Sequence, residues 1–225
     1  MRGFRSEDVG YVAGLDATER EVLATVVADV AELLGAGRFG SPSATATAAG
    51  DEPDPVRSLL GLRPLPDVVP PPVDPAVHRL LPDASDDDDE LAAEFRRLTE
   101  GDLRNAKIER LRTLWLSLTD GVAGAPGAPG EADTDLVVRR HDAVDLAATL
   151  TDLRLVLADR LGLETEEDSD ALYDALDRRD LGEQDPDRSA REVFQDEIRE
   201  YLGSVYAALG WLQESLMAVL LADLP

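Results

Sequence analysis

The sequence predicts a mainly α-helical fold, one helical bundle domain over residues 1–225 with a small N-terminal β element. Three observations carry that prediction. Apolar residues recur at three- and four-residue steps through two long C-terminal segments, which is the period of a helix. Aromatics supply 4% of the chain and apolar residues 44%, so Ala, Leu and Val must fill an interior of closely packed helices. Helix-start and helix-stop residues bracket most of the periodic stretches.

Gly3 to Ser6 and Gly10 to Leu15 predict a hairpin, because Phe4, Tyr11 and Val12 favour strands and the residues between favour a turn. Asp16, with Glu19 three residues on, predicts a capping box for a helix over 17–34. Its Val22, Val26, Val27, Val30, Leu33 and Leu34 share one face, and Gly35 and Gly37 stop it. Residues 36–53 have the composition of a flexible linker. A short helix over 55–60 and an extended Pro-rich stretch over 63–75 follow, and Asp74 with Pro75 starts a short helix through Leu81.

The Asp86 to Asp89 run sits at the positive end of a helix expected over 89–98. Thr99, Glu100 and Asp102 predict a fresh start for a helix over 100–118. Residues 121–134 form a second flexible linker, and Leu136 to Arg140 a strand. Asp142 is expected to cap a helix over 142–161, in which Leu146, Leu150, Leu153, Leu157 and Leu161 recur on one side. An acidic stretch over 164–187 holds a short helix at 169–178. Ser189 with Glu192 predicts a capping box for the last helix, over 189–220. Its Phe194, Ile198, Tyr201, Val205, Leu209, Leu212, Leu216 and Val219 hold one face. The core is expected around Leu153, Leu157, Val205, Leu212 and Leu216.

The chain has no cysteine and two histidines, but 47 acidic residues against 22 basic, for a net charge of −25. Few side chains are therefore suited to chemistry near neutral pH. The expectation is a protein that is not an enzyme, with no catalytic residues, no cofactor and no metal. Gly35-Ala-Gly37-Arg-Phe-Gly40 matches a dinucleotide fingerprint in letters, but it follows a helix where the motif must follow a strand. Neither Asp86 to Asp89 nor Glu164 to Asp170 has the spacing of a calcium loop. His78 and His141 lack carboxylates at metal-ligand spacing. No uninterrupted apolar run approaches the ~20 residues of a membrane span, and the N-terminus lacks an export signal. A cytoplasmic address is expected.

One segment reverses the charge. Arg96, Arg97, Arg104, Lys107, Arg110 and Arg112 stand against Glu100, Asp102 and Glu109. On a helix several would line one side. Two readings stay open: pairing with acids elsewhere in the fold, or contact with an acidic protein partner. Strong direct nucleic-acid binding is not expected, because the field of the whole chain repels phosphates.

Three segments in order carry a resemblance: Glu94-Phe-Arg-Arg-Leu-Thr-Glu-Gly-Asp-Leu103, Leu153-Arg-Leu-Val-Leu-Ala-Asp-Arg-Leu-Gly162 and Tyr206-Ala-Ala-Leu-Gly-Trp-Leu-Gln-Glu-Ser-Leu216. With the hairpin and Leu15-Asp-Ala-Thr-Glu19, they resemble an actinobacterial family of oxidative-stress transcriptional regulators, AosR-like and formerly a domain of unknown function. The resemblance implies a cytoplasmic, non-enzymatic regulator acting by contact with an alternative sigma factor or RNA polymerase, on cysteine-biosynthesis genes. A redox switch in that family is expected to use a closely spaced cysteine pair, which this chain lacks. The competing reading is an acidic adaptor with no role in transcription.

Overall fold

The computed structural model describes residues 1–40, 69–120, 135–180 and 190–223, with backbone alone for 179–180 and 190–194. Among these, six helices surround one buried cluster and a three-stranded antiparallel sheet closes one side. The mainly helical expectation holds.

The hairpin forms as β1 (Arg2–Glu7) and β2 (Gly10–Gly14), with Ser6 opposite Tyr11. Gly10 makes the turn with φ of 138°, and a Cβ there would lie 2.2 Å from the Val138 carbonyl oxygen. Only glycine fits. That carbonyl belongs to β3 (Asp135–Val138), which pairs antiparallel with the other edge of β2. The strand expected over 136–140 stops earlier, because Arg140–Asp142 already coil into a single 3₁₀ turn.

Helix α1 (Ala17–Leu33) has both halves of its capping box, Glu19 N to Asp16 Oδ1 at 2.8 Å and Asp16 N to Glu19 Oε2 at 2.9 Å. Helix α2 (Pro75–Leu80) starts at Asp74, whose carboxylate accepts from the Ala76 N–H. Helix α3 (Asp89–Thr119) is continuous where two helices were expected. The residues that suggested a fresh start are engaged inside it. Thr99 Oγ1 donates to the Phe95 carbonyl, and Glu100 pairs with Arg104 one turn on.

Helix α4 (Ala143–Leu161) follows Asp142, but that side chain makes no capping bond, since the preceding 3₁₀ turn leads directly into the helix. Helix α5 (Glu166–Asp180) is longer than the expected 169–178, its start fixed by Asp168 and Thr165 bonding reciprocally. Helix α6 (Ala190–Ala222) runs 33 residues. The expected short helix at 55–60, the Ser189–Glu192 capping box, most of the two linkers and residues 63–68 of the Pro-rich stretch lie outside the described residues or side chains.

α6 lies along α4 and β1, α1 on α3, α2 on α4, and α5 on α6. The expected core residues Leu153, Leu157, Val205, Leu212 and Leu216 are all buried. At Gly203 of α6 a Cβ would stand 2.9 Å from the Leu172 Cδ1 of α5, so the bare backbone lets α5 dock closely. Ile198 and Tyr201, expected on the core face of α6, are about half exposed instead. Within α6, Gln195–Ala222 is long and apolar enough by length and composition to cross a membrane, though no unbroken apolar run signals it. Its Val205, Leu209, Leu212 and Leu216 belong to the buried cluster.

Candidate functional site

α3 carries the basic strip, and the fold turns its cations toward neighbouring elements. Arg96 pairs with Asp83 and donates to the Val69 carbonyl at 3.2 Å. Arg97 pairs with Glu94 at 2.7 Å. Arg104 reaches Glu100 at 2.7 Å and the Leu34 carbonyl, at the end of α1, at 3.0 Å. The Lys107 ammonium meets Asp152 Oδ1 of α4 at 2.6 Å, both residues buried. Arg110 shares that carboxylate at 3.4 Å and approaches Asp145 at 4.0 Å. Arg112 pairs with Glu109 at 3.5 Å and covers the Phe39 ring, 4.9 Å from its centroid.

Every cation of the strip therefore has an acidic partner within the chain. Buried Lys107 and half-buried Arg110 join α3 to α4, and half-buried Arg104 joins it to the end of α1. A further buried cation, Arg20 of α1, donates to the Ser117 and Leu118 carbonyls and satisfies the last turn of α3.

The other sequence motifs fall apart in space. Gly35 ends α1 with φ of 90°, and Phe39 packs on Trp115 with ring centroids 5.7 Å apart, so the Gly-rich segment is a helix stop and a packing contact. His78 lies 3.7 Å from Asp83 and His141 lies 3.2 Å from Asp142, both on the surface. Among the described residues no group of three or more His, Asp or Glu is placed to hold a metal ion. Asp223, at the end of α6, accepts from Ser6, Tyr11 and Arg140. These donors, the Arg140 guanidinium foremost, hold its carboxyl below the usual carboxylate range.

The surface feature that stands apart is a groove of about 580 Å³ between α1 and α6. Tyr201 and Trp211 stand at its two ends, 47% and 43% exposed. Ser204, Ala207 and Ala208 form its floor, and Val22 and Leu23 of α1 its far wall. Ten helical steps separate the aromatics, a span of ~15 Å. Trp211 is held from behind by β1, where Gly3 leaves room for the indole, while the Phe4 N–H donates to Ser215 Oγ.

Among the described residues Glu19 is the sole charged side chain in the lining, and its carboxylate is already bonded to the Asp16 N–H and to the Met1 ammonium, the groove's other charge. The groove therefore offers apolar area and two aromatic edges. It offers no acid–base pair.

Sequence reasoning missed this surface. It placed Tyr201 in the core and gave Trp211 no role. A signal was present, because Tyr201, Ser204, Ala208 and Trp211 recur at steps of three, four and three, marking a second face beside the buried one.

A family model described as "Domain of unknown function (DUF2017)" matches residues 1–220. No curated protein matches the chain, and no solved structure matches it.

Proposed function

The chain belongs to the DUF2017 family, and from that premise we propose that it is a non-enzymatic, cytoplasmic, transcription-associated regulator that works by protein contact. The partner in this reading is a sigma factor or RNA polymerase. The regulatory assignment and an actinobacterial source rest on the resemblance of the three ordered segments. The contact mechanism rests on one observation, the half-open aromatic groove between α1 and α6. Exposed Trp and Tyr at the ends of an apolar groove are the residues that most often dominate binding energy between proteins.

The chemistry of the chain fits that role better than catalysis. It has no thiol and two surface histidines, each beside a single Asp. With no cysteine of its own, any thiol-based response to oxidant must enter through the partner.

Co-purification of the full chain from its native cell tests the proposal. Sigma factor or RNA polymerase in the eluate is the expected result. An eluate free of both, with unrelated proteins retained, would favour the adaptor reading and overturn this one.

A further inference from the structure

We propose that the Tyr201–Trp211 groove docks a basic amphipathic helix of a partner protein, apolar side chains between the aromatics and Lys or Arg along the flank of α6. This deepens the protein-contact reading above and rests on it.

The groove follows one helix, α6, on one side, and its ~15 Å between aromatics matches nearly three turns of an occupant. An amphipathic helix can lay one apolar stripe into such a channel. The floor of Ser204, Ala207 and Ala208 lets a second helix approach closely, and the walls supply the anchors.

Charge identifies which helix. No Lys or Arg lines the groove among the described residues, and the cation that does, the Met1 ammonium, is paired with Glu19. Exposed Glu197 precedes Tyr201 by one helical turn, and exposed Glu214 follows Trp211 by three residues, so acids flank both ends. The strip cations of α3 are paired within the chain and do not reach this face. A second copy would bring another −25 and the same acidic flank, placing like charges in register across an isologous contact. An anionic lipid surface is repelled for the same reason. A cationic helix is attracted, and the field of the whole chain speeds its arrival.

The test uses the full chain with Trp115→Phe, which leaves Trp211 as the remaining one of two tryptophans. The probe is a synthetic Leu/Lys helix with one apolar face. Its controls are a scrambled peptide of identical composition and a Leu/Glu counterpart. The expected result is that the Leu/Lys helix binds and shifts Trp211 emission. Tyr201→Ala with Trp211→Ala, which keeps the net charge, should weaken labelled-peptide binding by about tenfold or more.

Ser204→Gln, at an exposed floor position, provides a second variant with unchanged charge and should weaken binding in the same direction. Equal affinity for wild type and a folded variant would overturn the proposal, as would equal binding of the scrambled or Leu/Glu peptide. Self-association in sedimentation equilibrium that the double variant abolishes would assign the groove to a second copy and also overturn it. None of these outcomes touches the regulatory reading, which the co-purification of the unaltered chain decides.

Discussion

Replacing Asp152 with alanine would strand two cations against each other inside the helical bundle. Lys107 Nζ lies 2.6 Å from one Asp152 oxygen and Arg110 3.4 Å from the other, with Lys107 and Asp152 buried. Breaking a buried ion pair by removing one partner costs about 3–5 kcal/mol, because the remaining charge stays desolvated. For a chain of this length each kcal/mol moves Tm by about 2–4 °C, so Asp152→Ala should lower it by roughly 6–20 °C. Arg110 is 26% exposed at its side chain and can turn to water or Asp145; Lys107 at 11% cannot, so most of the loss belongs to the lysine.

Removing both buried charges together, with Lys107→Met and Asp152→Leu, should restore most of the lost stability, since a well-packed apolar pair of similar volume is often neutral or better. Thermal melts by far-UV circular dichroism at neutral pH measure all three proteins. A double variant that melts as low as Asp152→Ala, or a single variant within a degree of wild type, would refute the reasoning.

Three other expectations follow from the same structure. Gly10→Ala should destabilise the fold by more than ~1 kcal/mol, because φ of 138° is strained for alanine and its Cβ would meet the Val138 carbonyl; Gly37→Ala, with nothing within 4 Å, should be near neutral in the same denaturation assay. Reversing Arg104, Lys107 and Arg110 to Glu together should lower Tm severely, since each new carboxylate would face Glu100, Asp152 or Asp145; a retained melt with lost partner binding would instead make the strip a docking face. Acid should also destabilise the protein: Asp74 beside Arg160, Asp168 on the Glu164 and Thr165 N–H groups, and Asp223 beside Arg140 are all held below the ordinary carboxylate value. A lowered folded pKa contributes stability above the unfolded value of about 4 and loses it as pH falls through the folded one. A pH series of melts should decline below that range, more shallowly for Asp223→Asn, and a flat or rising series would contradict it. Asp29, whose pKa burial raises, opposes the trend with the reverse sign.

Local chemistry was legible wherever it acts over a few residues. The Asp16–Glu19 box, the Asp74 start and the Gly35 stop depend on side chains reaching their own backbone, and the structure has each where the spacing put it. The errors came where a local signal was overridden from elsewhere in the chain. Thr99 and Glu100 look like a helix start only until Arg96 and Arg104 are seen to hold Glu100 within one continuous α3. Asp142 has the identity of a cap but is already inside a 3₁₀ turn that β3 feeds into the helix. The third strand was expected as a strand, but its partner was not, because pairing β2 with a segment far along the chain leaves no trace in either sequence.

The candidate groove was hidden for a more general reason. A hydrophobic period records which residues share a face, and α6 has two faces turned from each other by about a quarter of the circumference. One, through Val205, Leu209, Leu212 and Leu216, is buried. The other, through Tyr201, Ser204, Ala208 and Trp211, has the same three-and-four rhythm and is half open. Burial separates them, and burial is set by what packs on the helix. Toward its C-terminal half α4 and β1 cover the first face, while α1 crosses beside the second and leaves a channel. The basic strip is a second case in which position in space adds what spacing leaves open. Six cations in a chain of −25 invite a search for an external partner, yet the acids nearest them in space lie on the same molecule. In so acidic a protein Lys107, with half-buried Arg104 and Arg110, neutralises the joints of α3 with α4 and α1, and this leaves a surface field suited to a partner of opposite sign.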